Sequence, residues 1–301
     1  MVIGTEGAAD QTAVHTTQND STVGSDNSII QGNVNITIND GAYFPQGLTG
    51  MGRNDVVEGS VNIIMNGGYI EESLHGLGEM WYEKSPYPTQ TIGKSTDLKE
   101  GSYYPKTALS ITVRGGEVGA VAWSGVPLIA SNPGGYGYNQ QTLYGNVLIN
   151  IEDGSVGQVY MGNPTKADPN GFQNLQKLPK VYGTKGIELH ITGGTFTGNP
   201  SIYAHEITTS YNGQRVYFEN DVPVYLYQIN SANSTKNGDQ ADIIVQNTQP
   251  ASIRYYVNSR GTQYPALKDC GDIEIIGGTL ALPAADEEVP QNAVLNAEGS
   301  V

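Results

Sequence analysis

GNVLINIEDGSVGQVYMGN, residues 145–163, sets apolar side chains at Val147, Ile149 and Ile151, then an Asp153-Gly154 pair, then a second apolar beat at Val156 and Val159. Alternation at period two reads as a strand with one buried face. An Asp-Gly pair after such a strand ordinarily closes a hairpin, whose returning strand should match the first in length and alternation. Here the segment after the corner, SVGQV, is brief. So are EVGAV after Gly115-Gly116 and TFTGN after Gly193-Gly194.

The pattern recurs along the chain. Val34, Ile36 and Ile38 precede Asp40-Gly41, and Val61, Ile63 and Met65 precede Gly67-Gly68. Leu109, Ile111 and Val113 precede Gly115-Gly116, and Ile187, Leu189 and Ile191 precede Gly193-Gly194. The last clear copy has Ile273 and Ile275 before Gly277-Gly278, with Gly271 at the first apolar place. The 84 residues from Gly194 to Gly278 leave room for degenerate copies, and ADIIVQNTQ, with Ile243 and Val245, is a candidate.

One such unit cannot bury its apolar face, whereas stacked units bury a continuous column. Each inward residue would sit over its counterpart in the next rung, roughly 4.8 Å away. The corner glycine is explained locally, because a sharp corner needs a positive φ. The expected fold class is all-β: a right-handed parallel β-helix, or β-solenoid, with long loop insertions. A meander of hairpins in a sandwich or barrel is the competing all-β reading. Residues 32–280 would form the β-helix domain, residues 1–31 an N-terminal cap or arm, and residues 281–301 a C-terminal tail or linker.

Composition fits this reading. The hydrophobic fraction of 38% suits a thin column with polar loops better than a large globular core. With 15 basic against 30 acidic residues the net charge is −15, which disfavours nucleic acid and anionic lipid as partners, since phosphate binding needs clustered Lys or Arg. Cys270 is the only cysteine, so no intrachain disulfide forms, and its place before a strand suggests a small buried hydrophobe. No apolar run approaches the roughly 18 residues that span a bilayer. The first residues lack the basic and apolar regions of an export leader, so Met1 opens either a mature chain or a piece of a longer exported protein.

NVLINIEDGSVGQVYMGN and GIELHITGGTF resemble the units of secreted or surface-displayed bacterial parallel β-helix proteins, within the pectate-lyase-like superfamily and its adhesin-type repeat proteins. The resemblance covers roughly residues 32–280. It implies an extracellular or cell-surface location. The superfamily includes lyases, phage tailspikes and passive adhesins, so the resemblance does not choose an activity. The long, dissimilar insertions depart from the repetitive adhesin pattern.

Chemistry-bearing residues are thinly spread. A polysaccharide lyase needs a Lys or Arg base and carboxylates holding calcium beside an acidic sugar. Arg114, Glu117, Glu152 and Asp153 lie at corners, where stacking would bring Arg114 to Asp153; they also read as a surface ion pair. A glycoside hydrolase needs two carboxyls about 5–10 Å apart. Glu71, Glu72, Glu79 and Glu83 beside Trp81 and Tyr82 form the densest set, and they also read as a solvated loop. His15, His75, His190 and His205 have no metal-ligand spacing, and His190 points outward between Leu189 and Ile191. Asp168-Pro169-Asn170-Gly171 has the flavour of a calcium loop without its full ligand series. No cofactor is implied, and calcium is the one candidate ion.

Aromatics are the stronger clue. Tyr103-Tyr104, Tyr136 with Tyr138, and Tyr255-Tyr256 are close pairs, and Tyr-rich loops supply rigid amphipathic contact surface. The candidate ligand-binding residues are Trp81, Tyr82, Trp123, Tyr136 and Tyr138, although each tryptophan also reads as the cover of a rung end. The leading functional expectation is a non-enzymatic surface protein presenting such loops to a glycan or to a host or microbial surface protein. A carbohydrate-active enzyme, a glycan-binding module and a phage receptor-binding spike are the alternatives. Capped ends would favour a monomer, and strand donation between subunits would instead build a filament.

Overall fold

The computed structural model describes residues 2–6, 14–17, 20–23, 29–52, 55–77, 89–93, 103–122, 140–161, 180–204, 213–231, 240–282 and 296–297. The chain is all-β, with no helix among these residues. One column of parallel strands organises it. In chain order these are Asn33–Ile38, Val61–Met65, Thr107–Ala122, Asn146–Tyr160, Ile187–Ile191, Gln214–Phe218, Ala241–Gln246 and Ile273–Gly277. Each pairs in parallel with the one before it, and we number them tiers 1 to 8.

The register explains the alternation. Ile36, Ile63, Ile111, Ile149, Leu189, Val216, Ile243 and Ile273 stand one above the next, and all are buried. Ile38, Met65, Val113, Ile151, Ile191, Phe218, Val245 and Ile275 form a second column in the same way. Ile275 alone in that column is exposed, at 55%, because no ninth strand lies beyond it among the described residues.

Each tier continues onto a second face. Thr107–Ala122 and Asn146–Tyr160 run through their corners as single bent strands, so the brief segment expected after the corner is the far half of a longer strand. The third face is a five-stranded parallel sheet of Ile29–Ile30, Val56–Val57, Thr89–Ile92, Gln140–Leu143 and Lys180–Val181. Val57, Ile92, Leu143 and Val181 bring their apolar side chains into the same core as the two columns. At the tier 1 edge, Val2–Glu6 pairs antiparallel with Asn33–Ile38. Near the other end, Asn296–Ala297 pairs in parallel with Leu267–Cys270.

Two tiers fill the long gap in the glycine series. Tier 7 is the copy expected around Ile243 and Val245, and tier 6, QRVYF, lies in a stretch that reads as β-rich but departs from the template because Gln214 takes the first apolar place. Neither corner uses the glycine device. Asn220 and Asn247, both buried, tie these corners together instead. The Asn220 amide donates to Val222 O at 2.7 Å and to Gln249 O at 2.8 Å. The Asn247 amide donates to Asn220 Oδ1 at 3.3 Å and to Thr279 O at 3.1 Å, and its Oδ1 accepts from Thr279 N at 2.8 Å.

The remaining corners follow the sequence reading. The second glycine of every copy, at 41, 68, 116, 154, 194 and 278, has a positive φ. At Gly116 a Cβ would also strike Gly68 O of the tier beneath, while at Gly41 it would meet nothing within 4 Å. Cys270 is fully buried, and burial pushes its thiol up to about 12, so it is an inert core residue as expected.

Two outcomes follow for stability. Ile149→Ala, at a fully buried position, should cost roughly 2–5 kcal/mol in denaturant unfolding. Ile275→Ala, at the same kind of register position but half exposed, should cost under about 1.5 kcal/mol. Gly116→Ala should destabilise by several times the ~1 kcal/mol expected of Gly41→Ala, because only at Gly116 does a backbone clash add to the strained φ. Equal losses at 116 and 41 would show that tier contact is not what the corner glycine serves.

Candidate functional site

Between the buried positions, alternate residues of the first face point outward. One outer column runs Asn35, Asn62, Ser110, Leu148, Glu188, Arg215 and Asp242. A second runs Thr37, Ile64, Thr112, Asn150, His190, Tyr217 and Ile244. In the early tiers the outward polar residues form uncharged ladders. Asn62 Nδ2 donates to Asn35 Oδ1 at 3.0 Å, Ser110 Oγ to Asn62 Oδ1 at 2.9 Å, and Asn150 Nδ2 to Thr112 Oγ1 at 3.0 Å.

From tier 5 onward the columns become charged. His190 lies flat on the Tyr217 ring, with centroids 4.4 Å apart and planes 5° apart. Its Nδ1 is 2.9 Å from Glu219 Oε2, and its Nε2 is 3.9 Å from Glu188 Oε2. Glu188 is itself buried. It faces Lys185 Nζ at 3.4 Å and accepts from the Tyr217 hydroxyl at 3.3 Å. An ionised carboxylate only accepts hydrogen bonds, so a histidine with a carboxylate at each nitrogen is best satisfied as imidazolium.

The titration behaviour agrees. Burial works against a charged His190, but the adjacent Glu188 carboxylate and the hydrogen-bonded Glu219 carboxylate outweigh it and hold its pKa above the ordinary value. Burial likewise works against a charged Glu188, and His190 and Lys185 outweigh it and hold its pKa below the usual carboxylate range. Burial raises the Tyr217 hydroxyl, with Glu188 adding to the shift.

These residues border a cleft of about 420 Å³ on the outer face. Leu148, Asn150 and Glu152 of tier 4 and Glu188, His190 and Thr192 of tier 5 and its corner line it, with Pro105 and Lys185 on one side and Glu219 on another. Arg114 Nε donates to Glu152 Oε2 at 2.9 Å. Stacking therefore does bring Arg114 to the tier 4 corner, where Asp153 is its backbone neighbour but Glu152 takes its side chain. Asp153 instead accepts from its own Gly154 N at 2.7 Å.

Other expected site residues fall elsewhere. Trp81, Tyr82, Trp123, Tyr136 and Tyr138 lie outside the described residues, as do Glu79, Glu83, His205, residues 168–171 and the side chain of His15. Glu71, Glu72 and Glu117 are exposed. The close tyrosine pairs reach across strands: Tyr104 meets the edge of Tyr144 at 5.4 Å, and Tyr256 stacks on Tyr264 at 5.5 Å. Sequence reading missed three tyrosine stacks, Tyr144 on Tyr182, Tyr160 on Tyr203 and Tyr43 on Tyr69; the last is exposed at a corner, with the Tyr43 hydroxyl donating to Glu71 Oε2 at 3.0 Å. Among the described residues no group of three or more His, Cys, Asp or Glu side chains is disposed to hold a metal ion.

Comparison with protein-family models, curated proteins and solved structures finds no match. The cleft residues were partly legible, since Glu188 and His190 occupy the outward places flanking Leu189. Glu219 was not legible, because it follows tier 6, whose β-rich sequence departs from the template and gives no register.

The cleft predicts a pH dependence. A folded-state pKa raised above the ordinary 6.5 means that His190 contributes stability that is fully present below pH 6.5 and is lost as pH rises through the raised value. His190→Gln should flatten the thermal stability profile over that alkaline-side window. A profile unchanged by the substitution would show that His190 is not held charged by its two carboxylates.

Proposed function

We propose that the chain is a right-handed parallel β-helix serving as a non-enzymatic, extracellular, adhesin-like binding surface of the bacterial surface-protein kind. Consecutive parallel tiers in chain order support the helical coil, and crossovers between parallel strands are right-handed in nearly all folds. The surface binds a glycan or a protein ligand through the outer face of its first sheet.

The observation that carries this reading is the cleft with internally neutralised charges. Its volume falls within the ~300–1,000 Å³ typical of ligand sites. A glycosidase acid needs a carboxyl held protonated, with a raised pKa. Glu188 is shifted the other way, and Glu152 and Glu219 are each paired with a cation. Such a cleft suits recognition better than proton transfer. The exposed Tyr43–Tyr69 stack adds an aromatic edge to the same molecule's contact surface.

A carbohydrate-active enzyme is the second reading, favoured by three carboxylates and a histidine lining one cleft. Arrays of glycans and surface proteins probed with the intact chain test the proposal, with retention of at least one unmodified ligand class expected. Release of reducing ends from a glycan panel, abolished by Glu188→Gln, would overturn the non-enzymatic reading.

A further inference from the structure

We infer that the outer cleft takes an uncharged, polyhydroxylated saccharide residue and discriminates against acidic sugars. This rests on the binding reading above and names the ligand class of that cleft.

The inference comes from which hydrogen-bonding groups are already engaged. Asn150 lines the cleft and gives one amide N–H to Thr112 Oγ1, and its Oδ1 has no hydrogen bond among the described residues, so it can accept from a ligand. Glu219 and Glu152 each give one oxygen to an internal cation, His190 and Arg114 respectively, and each keeps a second oxygen. The Thr192 hydroxyl donates or accepts as needed. The Lys185 ammonium, the exposed cation of the cleft, is held by Glu188. The set left over is therefore rich in acceptor oxygens, while the three carboxylates and the three cations they face leave the cleft itself close to neutral. A ligand that fits must bring donors without bringing charge, and sugar hydroxyls do that.

The floor supports the same class. Leu148 interrupts the outer polar column and shares the cleft with Pro105, so an apolar patch lies beside the acceptors. A pyranose has the matching division between a C–H face and a rim of hydroxyls. A uronic, sialic or sulfated sugar would place its anion against Glu152 and Glu219, in a chain of net charge −15. The one lysine ammonium that lines the cleft, Lys185, already shares its charge with Glu188 at 3.4 Å, so an incoming anion competes with that carboxylate for it.

The test titrates the intact chain, by calorimetry or affinity electrophoresis, against neutral oligosaccharides (gluco-, manno-, galacto- and xylo-series) and against polygalacturonate, alginate and dextran sulfate. At least one neutral series should bind, and the acidic polymers should bind at least tenfold more weakly. Asn150→Leu and Thr192→Val should each weaken neutral binding by about tenfold, the size of one lost hydrogen bond. The exposed Glu219→Lys should raise affinity for acidic polymers, and unchanged melting curves for the variants keep these comparisons valid. Acidic polymers bound by the parent chain as tightly as neutral ones would overturn the inference. So would neutral binding that survives both Asn150→Leu and Thr192→Val, or the absence of saccharide binding up to millimolar concentration. That last result leaves a protein ligand for the surface, whereas turnover of a bound neutral sugar overturns the non-enzymatic reading and leaves the specificity standing.

Discussion

Everything in this molecule depends on one residue standing directly over the next. Ile149 packs between Ile111 and Leu189 because tiers 3, 4 and 5 share one register, and a slip of a single residue would turn every inward side chain to solvent. The parallel ladder supplies the spacing, roughly 4.8 Å, and like apolar side chains at that spacing fill the column without gaps. Corners have to respect the same spacing. At Gly116 the backbone of one tier lies against that of the tier beneath, which leaves no room for a side chain.

The same constraint has a second solution in the later tiers. After Phe218 and Val245 the corner residues Asn220 and Asn247 carry side chains into the interior and satisfy backbone carbonyls of neighbouring tiers. A buried amide must find partners for its donors and its acceptor, and a stacked corner offers them at a regular repeat. Where glycine yields space, asparagine fills it with hydrogen bonds. Gly278 follows at the next corner and lies against Asn247, so the two devices meet at the tier 7 to tier 8 step.

This explains what could be read from the sequence. The five glycine-marked corners with three apolar beats were visible because both signals are local: period-two alternation and a residue that tolerates positive φ. Tier 6 reads from sequence only as a β-rich stretch off the template, because Gln214 breaks the beat and Asn220 replaces the marker, although Val216 and Phe218 keep the buried places. The outer cleft was harder still. His190 could be placed outward from its neighbours Leu189 and Ile191, but its contact with Glu219 joins residues 29 apart in sequence through a tier that the glycine template skips. The tryptophans and tyrosines of the insertions drew attention by composition, which carries no information about tier register.

Inward and outward columns obey different rules, and that difference is what leaves room for function. The inward columns must repeat, since any change of volume is felt by the tiers on both sides. The outward columns need only avoid clashes, so they can change character along the sheet. They run from amides and hydroxyls at Asn35, Asn62 and Ser110 to ions at Glu188, Arg215 and Asp242. Leu148 sits at the change, with the neutral ladder on one side and the charged cluster on the other. An apolar floor bordered by amide and carboxylate oxygens arises there from three adjacent outward positions, without disturbing a single buried side chain. A regular interior therefore lets a binding surface be composed tier by tier, and the cleft lies where two such compositions meet.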